Sequence, residues 1–169
     1  MSEEVKFVKD NERLEHVTIG VGNWRNFRGE RTENNKSGAR KFNIFLPPDV
    51  ADYLADVGWY VRTRDPYREG DDPTYFLEIE ASYDTKGGQF APPEITMVTY
   101  DGRETHLTEE NVGLLDKSDI EDAELEIRPY NWNVNGKRGC KAFLVELTVH
   151  LRKPRRALNA NLRRDEEEE

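Results

Sequence analysis

The amino-acid sequence predicts an all-β domain, a small barrel or sandwich with one or two short helices. Three observations favour this class of fold. About seven short segments alternate apolar and polar residues, as half-buried strands do. Only two segments show helical spacing, and both are short. No amphipathic helix of about 10–15 residues separates the strands, which disfavours a parallel α/β fold.

Each predicted strand is an alternating run bounded by a turn signal or a proline. The runs cover residues 17–24, 41–46, 59–64, 74–83, 94–100, 123–130 and 141–151. In the first run, Val17 and Val21 share one face. Phe143 shares the apolar face of the last run with its valines and leucines, and Trp59 alternates in phase with Val61. We therefore expect Phe143 and Trp59 to lie in the core.

The remaining elements are predicted from capping and turn residues. Asp49 is expected to cap a short helix that continues to Val57, and Thr108 to cap another that ends near Leu115. Residues 25–41, rich in Arg, Asn, Gly and Ser, are expected to form a long basic loop or hairpin. Hairpin turns are expected at Asp101-Gly102 and Asn135-Gly136.

A length of 169 residues suits one domain with tails. We expect a loose N-terminal arm over 1–15, a folded domain over 16–151, and a flexible basic linker with an acidic tip over 152–169. No run approaches the roughly 18 apolar residues of a membrane span, and the first residues lack the apolar stretch of a secretory signal. The expected location is therefore the cytoplasm, with no membrane partner.

The net charge of -9 hides a segregated distribution. Residues 24–41 carry six cations against two acids, and residues 128–141 carry four cations and no acid. Residues 101–126 carry ten acids against two cations. A bound anion responds to the local field, so the two basic segments indicate an anionic partner despite the acidic total.

Motifs for catalysis are missing from the sequence. It has no phosphate-binding glycine loop, no GxSxG and no HExxH, and its three histidines lack metal-site spacing. The single cysteine, Cys140, excludes an internal disulfide. We expect no catalytic residue, metal or cofactor. One alternative is a metal-dependent DNA-processing enzyme that uses the acids Asp116, Asp119, Glu121, Asp122, Glu124 and Glu126. Another is an acidic module that mimics DNA and binds proteins.

Aromatic residues interleaved with cations point instead to single-stranded nucleic acid, which is bound by a cationic groove with exposed aromatic faces. This pattern occurs in residues 24–28, 59–64 and 128–141. The expected stacking residues are Trp24, Phe27, Tyr60, Tyr130 and Trp132. The expected phosphate-binding residues are Arg25, Arg28, Lys36, Arg40, Lys41, Arg62, Arg128, Lys137, Arg138 and Lys141. For Phe27 and Trp132, burial in the core is the open alternative.

The last five residues form an acidic tail that cannot pack in a core: Asp165, Glu166, Glu167, Glu168 and Glu169. Such a tail can compete with DNA for the protein's own basic groove, or it can dock on a partner protein. A purely solubilising tail is the third alternative.

Several motifs together resemble a known family. They are RNF at 25–27, Gly29, Gly38, Arg40 with Phe42, Gly58-Trp59, Pro92-Pro93, LLD at 114–116, and above all IRPYNWNVNGKRGCKAFL at 127–144. Over residues 17–151 the chain resembles the single-stranded-DNA-binding proteins of tailed bacteriophages, which are small OB-fold proteins of phage replication and recombination modules.

The resemblance implies an all-β, OB-like barrel of about five core strands with one or two short helices and flexible termini. It also implies a non-enzymatic protein that coats and protects single-stranded DNA (ssDNA) in phage replication and recombination, largely independently of sequence. Phage or host replication and recombination proteins are the expected partners of the acidic tail.

Overall fold

The computed structural model describes residues 8–33 and 35–154, within which the chain forms nine strands, one α-helix and two 3₁₀ helices. The strands are β1 (Glu12–Ile19), β2 (Arg25–Asn26), β3 (Lys41–Leu46), β4 (Arg62–Arg64), β5 (Thr74–Glu80), β6 (Glu94–Val98), β7 (Glu104–Leu107), β8 (Ile120–Val134) and β9 (Lys137–Leu151). The α-helix, α1, is Pro48–Val57, and the 3₁₀ helices are Gly22–Trp24 and Val112–Lys117.

Strand pairing closes five strands into a ring. The sheet order is β4-β5-β3-β1-β8-β9-β6-β7, and β5 also pairs with β9 in parallel. The ring is therefore β5-β3-β1-β8-β9, a small barrel of the OB-like kind. The seam that closes it is short, with Ile79 opposite Ala142 and Glu80 opposite Phe143. Further along β9 the same edge pairs with β6, which β7 extends as a hairpin.

The hydrophobic core lies inside this barrel and consists of the side chains on the inward face of each strand. Phe42, Ile44, Ile79, Leu125 and Ile127 are fully buried. Helix α1 adds Ala51 and Leu54 to this core. Trp59 follows the helix and is buried as predicted.

A β-bulge in β9 reverses which residues of that strand face the core. Glu126 is opposite Glu146, but the next residue, Ile127, is opposite Leu144, so Val145 is the extra residue. Odd-numbered residues are buried after the bulge and even-numbered ones before it. Phe143 therefore lies on the outer face and is half-buried, so the prediction that it belongs to the core is wrong.

Arg25, expected to bind phosphate, is buried and supports the fold. Its Nε donates to the carbonyl of Gly20 at 2.6 Å, and one terminal nitrogen donates to those of Leu115 at 2.8 Å and Ser118 at 2.7 Å. Burial lowers the pKa of Arg25, while the carboxylate of Asp116 acts in the opposite direction. The guanidinium thus ties the start of the basic loop to the 3₁₀ helix Val112–Lys117.

Phe27, expected to stack on a base, is also a structural residue. Its ring is fully buried and stacks on Phe42, with centroids 4.7 Å apart and planes at 22°. The backbone N–H groups of Phe27 and Arg28 donate to the two oxygens of Asp116, at 2.6 Å and 3.1 Å. Arg25 and Phe27 are therefore removed from the expected DNA-contacting set.

Several element boundaries differ from the sequence prediction. β1 begins at Glu12, inside the segment expected to be a loose arm, because it pairs with β8. It ends at Ile19, which leaves Val21 exposed. Helix α1 begins one residue before Asp49, with Pro47 at the cap, because proline suits the start of a helix. The helix expected from Thr108 is instead the 3₁₀ helix Val112–Lys117.

The long hairpin of β8 and β9 turns where the sequence predicted. Asn135 and Gly136 both have positive φ, at 52° and 79°, as a two-residue hairpin turn requires. None of the helices in the described residues has the length and apolarity to cross a lipid bilayer.

Replacing Arg25 by lysine is expected to lower the free energy of unfolding by about 2–3 kcal/mol. A single ammonium nitrogen cannot reproduce the spacing of the two guanidinium nitrogens that bond the three carbonyls, and charged hydrogen bonds are worth about 1.5–3 kcal/mol. Urea denaturation measures the change. Arg28→Lys, at an exposed side chain, is the matched control and should leave stability unchanged. An Arg25→Lys variant as stable as the parent would contradict the structural role.

Candidate nucleic-acid interface

The outer face of the barrel carries the candidate interface. Cross-strand partners project to the same side of a sheet. On this face Lys41 is opposite Glu80, and Asn43 is opposite Glu78. Across the seam β9 presents Phe143 beside Glu80. The face continues onto β8 through the pairs Arg128–Phe143, Tyr130–Lys141 and Trp132–Gly139.

A cavity of about 190 Å³ lies on this face at the seam of the barrel. Five of the predicted DNA-binding residues line it, although they come from three separate segments of the chain. They are Lys41, Tyr60, Arg62, Trp132 and Lys141. The other lining residues are Leu77, Glu78, Glu80, Cys140 and Ala142. The cavity thus combines two aromatic rings with three cations.

Trp132 is fixed beside the cavity by a glycine on the neighbouring strand. Gly139 is its direct cross-strand partner. A Cβ on Gly139 would overlap the indole ring, so the ring lies against the glycine backbone. Trp132 is half-buried, which leaves part of the ring open for contact with a ligand.

Glu78 partly neutralises the cations of the cavity. One of its carboxylate oxygens lies 3.5 Å from the Lys41 ammonium and 3.8 Å from the Arg62 guanidinium. The Arg62 guanidinium also lies over the ring of Tyr60, at 5.0 Å from its centroid. Lys141, in contrast, has no ion pair with any of the described residues. As far as the described residues show, an incoming phosphate therefore meets one cation without an ion pair, Lys141, and two that share the carboxylate of Glu78. Glu80 is a second acid in the lining.

Cys140 contributes its surface to the cavity and no charge. Burial is the main influence on the thiol and raises the pKa of Cys140 above its usual value. A neutral, half-buried thiol behaves as a small apolar side chain. It does not present a thiolate to a ligand.

The inner part of the β8–β9 hairpin extends the aromatic surface beyond the cavity. Tyr130 is exposed and packs edge-on against Phe143, with ring centroids 5.6 Å apart. Arg128 lies over the rings of Phe143 and Phe90. Sequence reasoning missed Phe90, because it occurs in a turn-rich segment with no alternation.

Trp24 belongs to a second hollow on the outside of the barrel. Its ring packs edge-on against Phe45 at 5.2 Å and Phe76 at 4.8 Å, and the Arg64 guanidinium lies 5.5 Å from its centroid. Three acids also line this hollow, namely Asp65, Asp71 and Asp72. Arg64 belongs to the predicted segment 59–64 but was not among the expected contact residues, and sequence reasoning missed Phe45 and Phe76. The alternation pattern could have identified the two phenylalanines as outward-facing, because Phe45 and Phe76 alternate with the core residues of β3 and β5.

The remaining predicted cations do not line the cavity. Arg28 and Lys36 are exposed on the loop before β3, and Lys137 and Arg138 are exposed at the tip of the β8–β9 hairpin. Arg40 is occupied within the fold. It donates to the carbonyl of Phe27 at 2.7 Å and lies over the ring of Tyr83.

The acids expected as the alternative metal site are spread over separate structural contacts. Asp116 accepts the backbone hydrogen bonds of the basic loop described above. Asp122 lies 3.0 Å from His16, and this hydrogen bond raises the pKa of His16. Glu124 lies 3.6 Å from His150. Residues 8–33 and 35–154 contain no group of three or more His, Cys, Asp or Glu side chains that could hold a metal ion.

A closed five-stranded barrel with exposed rings and cations on its outer face defines a class of protein that binds single-stranded nucleic acid. The chain belongs to the phage ssDNA-binding domain family, whose model matches residues 1–158. The predicted resemblance is thereby confirmed, and so is the expectation of an ssDNA-binding protein in place of an enzyme.

Solved structures of phage proteins have a similar fold. The ssDNA-binding protein from bacteriophage Enc34 matches with a TM-score of 0.51 and 8% sequence identity, over 90% of this chain and 89% of that one. Its C-terminal truncation matches with a TM-score of 0.50 and 9% identity, over 90% and 95% of the two chains. The OB-like fold is thus confirmed. No curated protein matched by sequence.

Replacing Glu78 by glutamine is expected to tighten binding of a single-stranded oligonucleotide at low salt by about 2–5-fold, because each partly exposed ion pair that it frees is worth up to about 1 kcal/mol. Fluorescence anisotropy of a labelled oligonucleotide measures the dissociation constant. Glu104→Gln, at an exposed position of β7, removes the same charge away from the cavity and controls for net charge. Equal affinities of the two variants would show that Glu78 does not compete with phosphate.

Proposed function

We propose that this phage ssDNA-binding protein binds the strand along the outer face of β5, β9 and β8, with bases at the cavity and phosphates on the surrounding cations. Coating of the strand in this way would protect it and keep it unpaired during phage replication and recombination, in the cytoplasm of the host cell.

One observation carries the location of the interface. Segments 24–41, 59–64 and 128–141 were each expected to bind DNA, and each contributes to the single cavity described at the seam. The combination of Tyr60 and Trp132 with Lys41, Arg62 and Lys141 is the one that single-strand binding requires, because rings bind bases and cations bind phosphates.

Within this proposal the residues divide into two roles. Tyr60, Trp132 and Tyr130 stack on bases, and Trp24 does so if the strand extends over β3 and β4. The phosphate-binding residues at or near the cavity are Lys41, Arg62, Arg128 and Lys141, and those that extend the path are Arg28, Lys36, Lys137 and Arg138. Arg40 serves the fold first, since its guanidinium already has partners.

These contacts predict binding that is largely independent of sequence. Every base has a flat face for stacking, and every nucleotide supplies a phosphate. The affinity should fall as salt rises, with a log–log slope of about -0.7 for each phosphate neutralised on a single strand.

The acidic tail, Asp165 to Glu169, lies outside the described residues. We include it in the proposal on charge alone. Its five carboxylates can compete with phosphates for the cavity, and when DNA displaces the tail it becomes free to bind a replication or recombination protein.

Replacing Trp132 by alanine is expected to weaken oligonucleotide binding by about 1–3 kcal/mol, because one base loses its aromatic partner. Anisotropy of a labelled oligonucleotide gives the affinity, and circular dichroism verifies the fold. Tyr100→Ala is the matched control, since Tyr100 is an exposed ring in the turn between β6 and β7. If a folded Trp132→Ala protein bound the oligonucleotide as tightly as the parent does, the DNA interface would not lie at the cavity.

Deletion of residues 165–169 is expected to tighten binding at low salt and to have little effect at high salt, because salt screens the competition between the tail and the phosphates. Titrations of the full chain and the deletion at two salt concentrations measure the difference. Equal or weaker binding of the deletion at low salt would exclude self-competition and leave the tail as a docking segment or a solubilising one.

A further inference from the structure

The guanidinium of Arg128 is held by two aromatic rings. Its central carbon lies 4.1 Å from the centroid of Phe90 and 4.6 Å from that of Phe143. Tyr130 in turn packs edge-on against Phe143, with planes at 85°. Because the two rings cover the guanidinium, its N–H edge is the part that remains for a ligand.

This N–H edge has no protein partner in the part of the chain that the structure describes. Arg25 and Arg40 donate hydrogen bonds to backbone carbonyls, and Arg62 shares Glu78. The side chain of Arg128 forms neither a hydrogen bond nor an ion pair with any residue of 8–33 or 35–154, although desolvation lowers the pKa of Arg128. A charged group that is oriented but unpaired is suited to an external anion.

Phe90 reaches Arg128 from a structured turn between β5 and β6. The N–H groups of Gly88 and Phe90 both donate to the carbonyl of Thr85, at 3.1 Å and 3.0 Å. Gly87 and Gly88 have φ values of 69° and 97°, which glycine adopts readily. The other ring, Phe143, faces outward because of the bulge at Val145.

Arg128 lies on the same strand and the same outer face as Trp132, which lines the cavity. Arg128, Tyr130 and Trp132 are alternate residues of β8 and project to the same outer face. At about 3.4 Å per residue, Arg128 is roughly 14 Å from Trp132 along the strand. A nucleic acid strand with a base at Trp132 that continues along β8 arrives at this guanidinium.

We propose that Arg128, oriented by Phe90 and Phe143, is a preorganised subsite for one backbone phosphate of the bound strand, at the point where the strand leaves the cavity. This inference rests on the proposed function and adds a fixed phosphate position to it. Two N–H groups of the guanidinium present a planar, parallel donor pair to two phosphate oxygens, a fixed geometry that an ammonium group lacks. Phe90 is a positioning residue that acts through Arg128.

The test compares affinities for labelled oligothymidylates of increasing length, from about four to about sixteen nucleotides, the range of sites known for single OB folds. Arg128→Lys keeps the charge but loses the planar donor pair and the stacking. Phe90→Leu keeps an apolar side chain but removes one ring, and Phe90→Tyr restores a ring. Arg103→Lys, at an exposed side chain just before β7 and away from the cavity, is the matched control for exchanging arginine for lysine.

We expect Arg128→Lys and Phe90→Leu to weaken binding of the longer oligonucleotides by about 3–10-fold, the size expected when one long side chain must be ordered on binding. Both variants should bind the shortest oligonucleotides as the parent does. Phe90→Tyr and Arg103→Lys should bind all lengths nearly normally. Rescue by tyrosine together with the dependence on length separates this effect from a loss of folding.

Two results would overturn the subsite. One is an unchanged affinity of Arg128→Lys and Phe90→Leu at every length. The other is an equal loss at every length, which would indicate a change in the cavity or the fold. In either case Trp132→Ala distinguishes the two proposals: if that variant binds weakly, the interface at the cavity stands and only the subsite fails. If it binds normally, the interface itself is misplaced.

Discussion

The extra residue in β9 determines which side chains this protein presents outside its barrel. Before the bulge at Val145, Ala142 and Leu144 face inward, so Lys141 and Phe143 face outward. A strand without the extra residue would exchange these faces, because side chains alternate with a period of two. The lysine of the cavity and the ring beneath Arg128 both depend on this one insertion.

A second constraint concerns charge, since a protein with a net charge of -9 has to keep cations available for DNA. The structure pairs the acids of 101–126 with groups away from the cavity, as in the contacts of Asp116 with the basic loop and of Asp122 with His16. Glu78 is the exception, because it lies among the cations that it pairs with. The local field at the cavity therefore depends on its three cations and on the carboxylates of Glu78 and Glu80, and does not follow the total charge.

Much of the fold is predictable from the sequence because it depends on local alternation and turn residues. The run at 41–46 coincides with β3, the run at 74–83 contains all of β5, and Asn135-Gly136 turns the hairpin. The class of partner was also predictable from rings and cations adjacent in sequence. Arg25 and Phe27 could not be assigned, because their burial depends on a 3₁₀ helix about 90 residues away. Likewise the outward orientation of Phe143 depends on the register shift between β8 and β9, which the alternation pattern of a single strand does not encode.

The cavity lies across the seam at which the barrel closes, and that seam consists of two residue pairs. Leu77 and Glu78 line it from β5, and Lys141 and Ala142 line it from β9. A strand of DNA that contacts both β5 and β9 would hold these two strands together across the seam. With DNA bound there as proposed, ligand affinity and barrel closure are linked equilibria. Saturation with DNA would then raise the free energy of opening the seam, and opening of the seam would weaken DNA binding.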